Sequence, residues 1–161
     1  MAGQKFTNAG TKIYVCATEQ TALPLNQAAF QALTYVEIKG VGNRGDFGAD
    51  TNIVNYDTFA DEVTQKAKGI TDAGNLDIEV ARLFDDAGQV AMRAAALTKF
   101  NYAIKIEFSD APSDAYDNTV VYCAGIITGP VLNGGGVEDF VTETYTVGFN
   151  QLPVTVEAAL S

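Results

Sequence analysis

Leu76-Asp-Ile-Glu-Val-Ala-Arg-Leu-Phe84, then Asp85-Asp-Ala-Gly-Gln-Val-Ala-Met-Arg-Ala-Ala-Ala-Leu97, then Asn101-Tyr-Ala-Ile-Lys-Ile-Glu-Phe108 run on from one another and change period twice. In the first piece Leu76, Ile78 and Val80 alternate with Asp77, Glu79 and Ala81, the two-residue period of a half-buried strand. In the last, Tyr102, Ile104, Ile106 and Phe108 alternate with Ala103, Lys105, Glu107 and Ser109. Between them Asp85 or Asp86 can cap a helix, because a short carboxylate accepts from the free amides of a first turn. Val90, Ala94 and Leu97 share one face at helical spacing. The centre of the chain is therefore strand, short helix, strand, each strand with one apolar and one charged face.

Working outward, Thr34-Tyr-Val-Glu-Ile-Lys39 alternates and is rich in β-branched and aromatic residues, so it reads as a strand. Lys12–Ala17 is a first strand. Asn26 caps a short helix from Gln27 to Leu33, with Ala28 or Ala29 and Leu33 inward. The segment Gly40–Gly74 is polar, glycine-rich and only weakly strand-like, an excursion too long for a compact domain unless it binds something. After the centre, Asp110–Asp117 lacks the glycine and terminal glutamate of a calcium loop and reads as a turn. Thr119–Thr128 is apolar on both faces and reads as a central strand. Asn133-Gly-Gly-Gly136 lacks the lysine of a phosphate loop. Val141, Glu143, Tyr145, Val147 and Phe149 then alternate with Phe140, Thr142, Thr144 and Thr146, and Pro153–Glu157 is a closing strand. The fold class is mainly β, a β-sandwich or open barrel with one or two short outer helices and a long hairpin excursion. Residues 1–161 form a single domain, with 1–11 a loose N-terminal arm and 40–74 extended.

The chain has 161 residues and a formal net charge of −10, against holding nucleic acid by its phosphates. It has no histidine, which removes the commonest general base and metal ligand. Cys16 and Cys123 stand in separate strands, outside any metal-type spacing, and read as buried free thiols, with one disulfide as the alternative. There is no secretory h-region and no run of membrane-spanning length. No catalytic residue, cofactor or metal site is expected.

The order of these elements resembles the major tail tube protein of long-tailed (siphovirus) bacteriophages. The resemblance is carried by Tyr35-Val-Glu-Ile-Lys-Gly-Val41, a charged hairpin, Lys66-Ala-Lys-Gly-Ile-Thr-Asp-Ala-Gly-Asn-Leu-Asp-Ile78, the strand-helix-strand, Tyr122-Cys-Ala-Gly-Ile-Ile127, Thr144-Tyr-Thr-Val-Gly-Phe149 and Pro153-Val-Thr-Val156, over roughly residues 34–157. It implies a structural virion protein, made in the host cytoplasm, that assembles with itself into stacked hexameric rings through which double-stranded DNA is ejected. Its other partners would be the tape measure, terminator and tail tip, with no membrane insertion. The excursion would reach an adjacent ring, through Arg44, Asp46, Asp50, Tyr56, Asp61, Glu62, Lys66 and Lys68. Asp77, Glu79, Lys105 and Glu107 would face the lumen, where acids repel phosphates; the alternative is a solvated outer face. A type VI secretion-like tube subunit and a small β-sandwich ligand-binding or adhesion module are the competing functions.

Overall fold

The computed structural model describes residues 3–161. In chain order they form β1 (Lys12–Val15), α1 (Gln27–Gln31), β2 (Val36–Ile38), β3 (Val41–Arg44), β4 (Asp50–Tyr56) and β5 (Gln65–Asp72). There follow β6 (Asn75–Ala81), α2 (Ala87–Ala96), β7 (Asn101–Glu107), β8 (Val120–Leu132), β9 (Thr142–Phe149) and β10 (Val154–Val156). The main sheet has the order β2-β1-β7-β8-β9-β6-β3, with β10 paired to β8, and β4 and β5 form a sheet of their own. The expected mainly β fold is present.

The two end strands of the main sheet, β2 and β3, are separated in the chain only by Lys39 and Gly40. They are two halves of one bent strand, paired to β1 before the bend and to β6 after it. A sheet whose first and last strands are contiguous must roll around, and this one does so as an open barrel. Its interior takes one parity from every long strand. Leu76, Ile78 and Val80 from β6, Ile104 and Ile106 from β7, and Tyr145 and Val147 from β9 are all completely buried. Each such side chain contributes about 1.5–3 kcal/mol on burial.

The bend is held by α2. Asp86 caps the helix, its carboxylate accepting from Gln89 N at 3.0 Å and from Lys39 N in the bend at 3.2 Å. Gly88 lies against β2 so closely that a Cβ there would stand 2.2 Å from the Glu37 carbonyl oxygen. The next residue, Gln89, is completely buried. Its Nε2 donates to the carbonyls of Lys39 (2.7 Å) and Ala81 (2.9 Å), and its Oε1 accepts from Leu83 N (2.9 Å). One amide thus ties the corner of the bent strand to the end of β6.

That docking fixes the rotation of α2. Gln89, Met92 and Ala95 face inward, and the face shared by Val90, Ala94 and Leu97 is the outer one, with Leu97 89% exposed. α1 is shorter than expected, and its buried residue is Phe30 rather than an alanine. Phe30 stacks on Tyr122 at 5.4 Å on the outside of the sheet, where Cys16, Ala103 and Ala124 form a second small core. Strand β8 continues past Thr128 to Leu132 through a bulge that contains Gly129, at φ +106°. In the 110–117 turn the Asp110 carboxylate serves the turn itself: its Oδ1 accepts from Thr119 N at 2.8 Å. Both cysteines are free and buried, and burial pushes the Cys123 thiol up to about 12.

Replacing Gln89 with leucine keeps the bulk but leaves the Lys39 and Ala81 carbonyls and the Leu83 amide without this partner. Lys39 and Leu83 are exposed, so the loss is that of three hydrogen bonds at about 0.5–1.5 kcal/mol each, and Gln89→Leu is expected to lose roughly 2 kcal/mol or more. Urea unfolding followed by circular dichroism checks this. A loss below about 1 kcal/mol would mean the corner is held by packing alone.

Candidate assembly surface

The β4–β5 hairpin is a regular antiparallel ladder from Asp50↔Asp72 to Tyr56↔Gln65, bulged between Thr51 and Ile53. The Thr51 and Thr71 hydroxyls meet at 2.8 Å. The register puts Ile53, Lys66 and Lys68 on one face and Val54, Tyr56 and Ala67 on the other. Among the described residues no other element covers either face: Ile53, Val54, Tyr56 and, at the tip, Phe59 are all exposed. The base is the anchored part. At Gly74, φ +87°, a Cβ would lie 2.5 Å from the Gly48 carbonyl oxygen, so the two chain segments cross in contact. Beside them the Arg44 guanidinium lies over the rings of Phe47 and Phe108, at 5.3 and 5.5 Å.

The residues expected to reach a neighbour divide accordingly. Arg44 belongs to β3 and braces the base, and Asp46 follows it on the link to β4. Asp50 and Tyr56 lie on β4, Lys66 and Lys68 on β5, and Asp61 and Glu62 at the tip, all exposed. Residues 41–44 are thus barrel wall, and the projecting part begins after them.

Asp77 and Glu79 point outward from β6 beside the hydroxyls of β9, and Thr146 Oγ1 donates to Asp77 Oδ1 at 2.6 Å. Asn133 Nδ2 donates to Thr142 Oγ1 (2.9 Å) and Thr144 Oγ1 (3.0 Å) in the same row. This face is threonine-rich and uncovered. Lys105 and Glu107 are elsewhere, because β8 and β9 intervene between β7 and β6. Lys105 Nζ lies 4.8 Å from the Tyr14 ring centroid and 3.8 Å from Glu107, next to the layer built on α1. The four residues all point outward from one curled sheet, but as two separate pairs.

At the end of the barrel opposite the hairpin sits a charge cluster that sequence reasoning missed. Glu143 is 1% exposed. It is held by Arg82 Nε at 2.5 Å, Arg93 Nε at 3.5 Å and the Tyr145 hydroxyl at 2.7 Å. Burial opposes its charge, but the Tyr145 hydroxyl and the two guanidiniums outweigh that and hold the carboxyl below its usual range. Burial, reinforced by the facing carboxylate, pushes Tyr145 up. The available signal was parity: Glu143 is the one acid on the apolar side of the Val141–Phe149 alternation. Among the described residues no group of three or more Cys, Asp or Glu is placed to hold a metal ion, and no helix is long and apolar enough to cross a membrane.

No family model and no curated protein matches this chain. Solved structures do. A chain in the sheath/tube terminator of an extracellular contractile injection system (PVC), in its extended state, is similar with TM-score 0.68 and 9% identity, over 97% of this chain and 99% of that one. A chain in the six-fold symmetrised baseplate of the anti-feeding prophage is similar with TM-score 0.62 and 7% identity, over 98% of each chain. One in the tube-terminating cap of the same prophage gives TM-score 0.60 and 8% identity, over 98% of this chain and 95% of that one. At these identities the likeness establishes the shared fold. The named systems are tail-like injection assemblies rather than siphovirus tails.

The Glu143 cluster makes a pH prediction. Its folded carboxyl titrates below the unfolded one, so its contribution is complete above the unfolded value of about 4.3. The contribution is lost as pH falls through the folded value. Glu143→Gln is expected to be less stable than wild type at pH 7 and to show a shallower acid limb. Thermal melts between pH 3 and 7, about one pH unit apart, would test it; parallel curves would refute it.

Proposed function

We propose that this chain is a non-enzymatic structural subunit of a tail-like tube, assembling with itself into stacked hexameric rings around a channel. The observation that carries the reading is the β4–β5 hairpin, a regular ladder with neither face covered by another of the described elements. Exposed β-ladders and apolar residues on a projecting element are a liability in a monomer and a contact surface in an assembly. The similarity in fold to chains of tail-like injection assemblies supports this reading. The hairpin, residues 45–74, would reach the neighbouring ring, and Asp77 and Glu79 with the β9 threonines would line the channel. Lys105 and Glu107, packed beside the α1 layer, would lie away from it. A hydroxyl-rich wall with acids repeated around a ring gives DNA little to adhere to, since adhesion to DNA comes from neutralised phosphates. Tape measure, terminator and tail-tip proteins are the other partners this role requires.

A second reading has its own support. Two of the similar structures are described as terminators or caps, and a terminator ring ends a stack instead of extending it. A type VI secretion-like tube subunit would share the architecture and carry a different cargo.

Electron microscopy of the concentrated protein separates these readings: long tubes for a tube subunit, single rings for a terminator, dispersed monomers if the proposal is wrong. Replacing Thr51–Gln65 by a short turn should leave the thermal midpoint within a few degrees, since no barrel residue loses cover, and should abolish stacking. Asp77→Lys combined with Glu79→Lys should leave tubes intact but make them retain duplex DNA at low salt and release it at high salt. Variant tubes that ignore DNA would show that this face is not the channel wall.

A further inference from the structure

The two ends of the barrel differ. β6 runs from Asn75, where the hairpin leaves, to Ala81, and β9 pairs with it antiparallel from Thr142 opposite Ala81. At the Ala81 end, Arg82 N donates to the Val141 carbonyl at 2.9 Å, bringing residues 82–86 beside the 133–141 loop. Phe84 and Phe140 are 81% and 85% exposed there. The loop is shaped, not slack: Gly136 N donates to Asp139 Oδ2 at 2.6 Å, and Asn133 is bonded to two threonines. Asp85 follows Phe84 and Glu138 and Asp139 precede Phe140 in the chain, and none of the three acids takes part in an ion pair among the described residues. At the other end, the Ile53 face of the hairpin carries Lys66 and Lys68, likewise in no ion pair among the described residues.

We propose that the end formed by Phe84, Phe140, Asp85, Glu138 and Asp139 is the acceptor for the β4–β5 hairpin of a second copy, seated with its Lys66 and Lys68 face toward the acids. The inference rests on the assembly reading of the hairpin and supplies its missing half. The occupant follows from complementarity of faces: the ribbon, whose own acids are Asp50 and Asp72 at the base and Asp57, Asp61 and Glu62 at the tip, carries Ile53, Lys66 and Lys68 together on one face, and the far end of the barrel presents Phe84 and Phe140 with acids next to them in the chain. The hairpin does not serve its own acceptor, because the length of β6, roughly 23 Å at 3.3 Å per residue, separates the two and the hairpin leaves from the far end. The contact is therefore heterologous, joining unlike surfaces, and such contacts propagate along an axis instead of closing into a pair. Apolar burial supplies affinity, and the charge pairs fix orientation.

The test is a charge swap. Lys66→Glu with Lys68→Glu, and separately Asp85→Lys with Glu138→Lys, should each weaken stacking about ten-fold or more, as like charges then meet across the contact. All four positions are exposed, and unchanged melting curves verify that the variants fold. The four-fold variant, with the signs exchanged, should stack again, as should an equimolar mixture of the two double variants. Sedimentation at several salt concentrations reads the stacking. If wild-type tubes form and neither reversal affects them, or the four-fold variant stays unstacked, the acceptor is elsewhere and the inference falls while the assembly reading stands. Wild-type rings that never stack overturn the inference and favour the terminator role. Wild-type monomers overturn both.

Discussion

The Gln89 side chain joins three backbone groups from separate segments: the Lys39 and Ala81 carbonyls and the Leu83 amide. Two of these belong to different walls of the barrel, so the bond set is a clasp across the seam. Apolar contact at this point would hold the walls together without fixing how far one slides along the other. Hydrogen bonds fix the register, and register matters here because a one-residue slip turns every buried side chain outward. Asp86 adds to the clasp by capping α2 and accepting from Lys39 N with the same carboxylate. The helix start, the strand bend and the end of β6 are thereby one unit.

Closing the barrel through a bent strand disposes of most of the free edge that a sheet of this size would expose. The edge that remains is concentrated in the hairpin. A two-stranded ribbon alone is marginal in water, and this one has no covering layer to help it. It persists as a continuation of β3 and β6, with Arg44, Phe47 and the Gly48–Gly74 crossing clamping its base. Stability therefore flows outward from the barrel core. The hairpin contributes little to folding, so its faces are free to be shaped by what they meet.

The strands of the core were legible because burial writes itself into sequence with period two. Leu76, Ile78, Val80 and the Tyr145, Val147, Phe149 series could be assigned to the interior from alternation alone, and their burial agrees. The rotation of α2 was not legible. Val90, Ala94 and Leu97 look like an inner face by hydropathy, whereas the true inner face begins with a glutamine whose partners are backbone atoms distant in sequence. The hairpin could be recognised as an excursion by its glycines, but its ladder leaves no hydropathy trace, because neither face is buried. Alternation likewise showed that Asp77, Glu79, Lys105 and Glu107 point outward. Whether they are neighbours depends on strand order, which is set by long-range pairing: β6 and β7 adjoin through α2 in the chain and are two strands apart in the sheet.

In the proposed assembly a subunit with net charge −10 must overcome like-charge repulsion between copies, and its few cations are unevenly committed. Arg82 and Arg93 serve Glu143, Arg44 braces the hairpin base, and Lys105 lies over Tyr14 beside Glu107. Lys66 and Lys68 stand on the element that projects. Range then decides which electrostatic effect wins. Repulsion between whole subunits acts over distances beyond the Debye length, about 8 Å at physiological salt, and is largely screened. A lysine and a carboxylate in contact at about 4 Å attract by roughly 4 kcal/mol at an effective dielectric of 20 before desolvation, and are screened less. Salt therefore removes more of the opposing term than of the favourable one. In the proposed assembly, Lys66 and Lys68 on the projecting ribbon would let an acidic subunit keep an anionic channel wall and still associate in one direction.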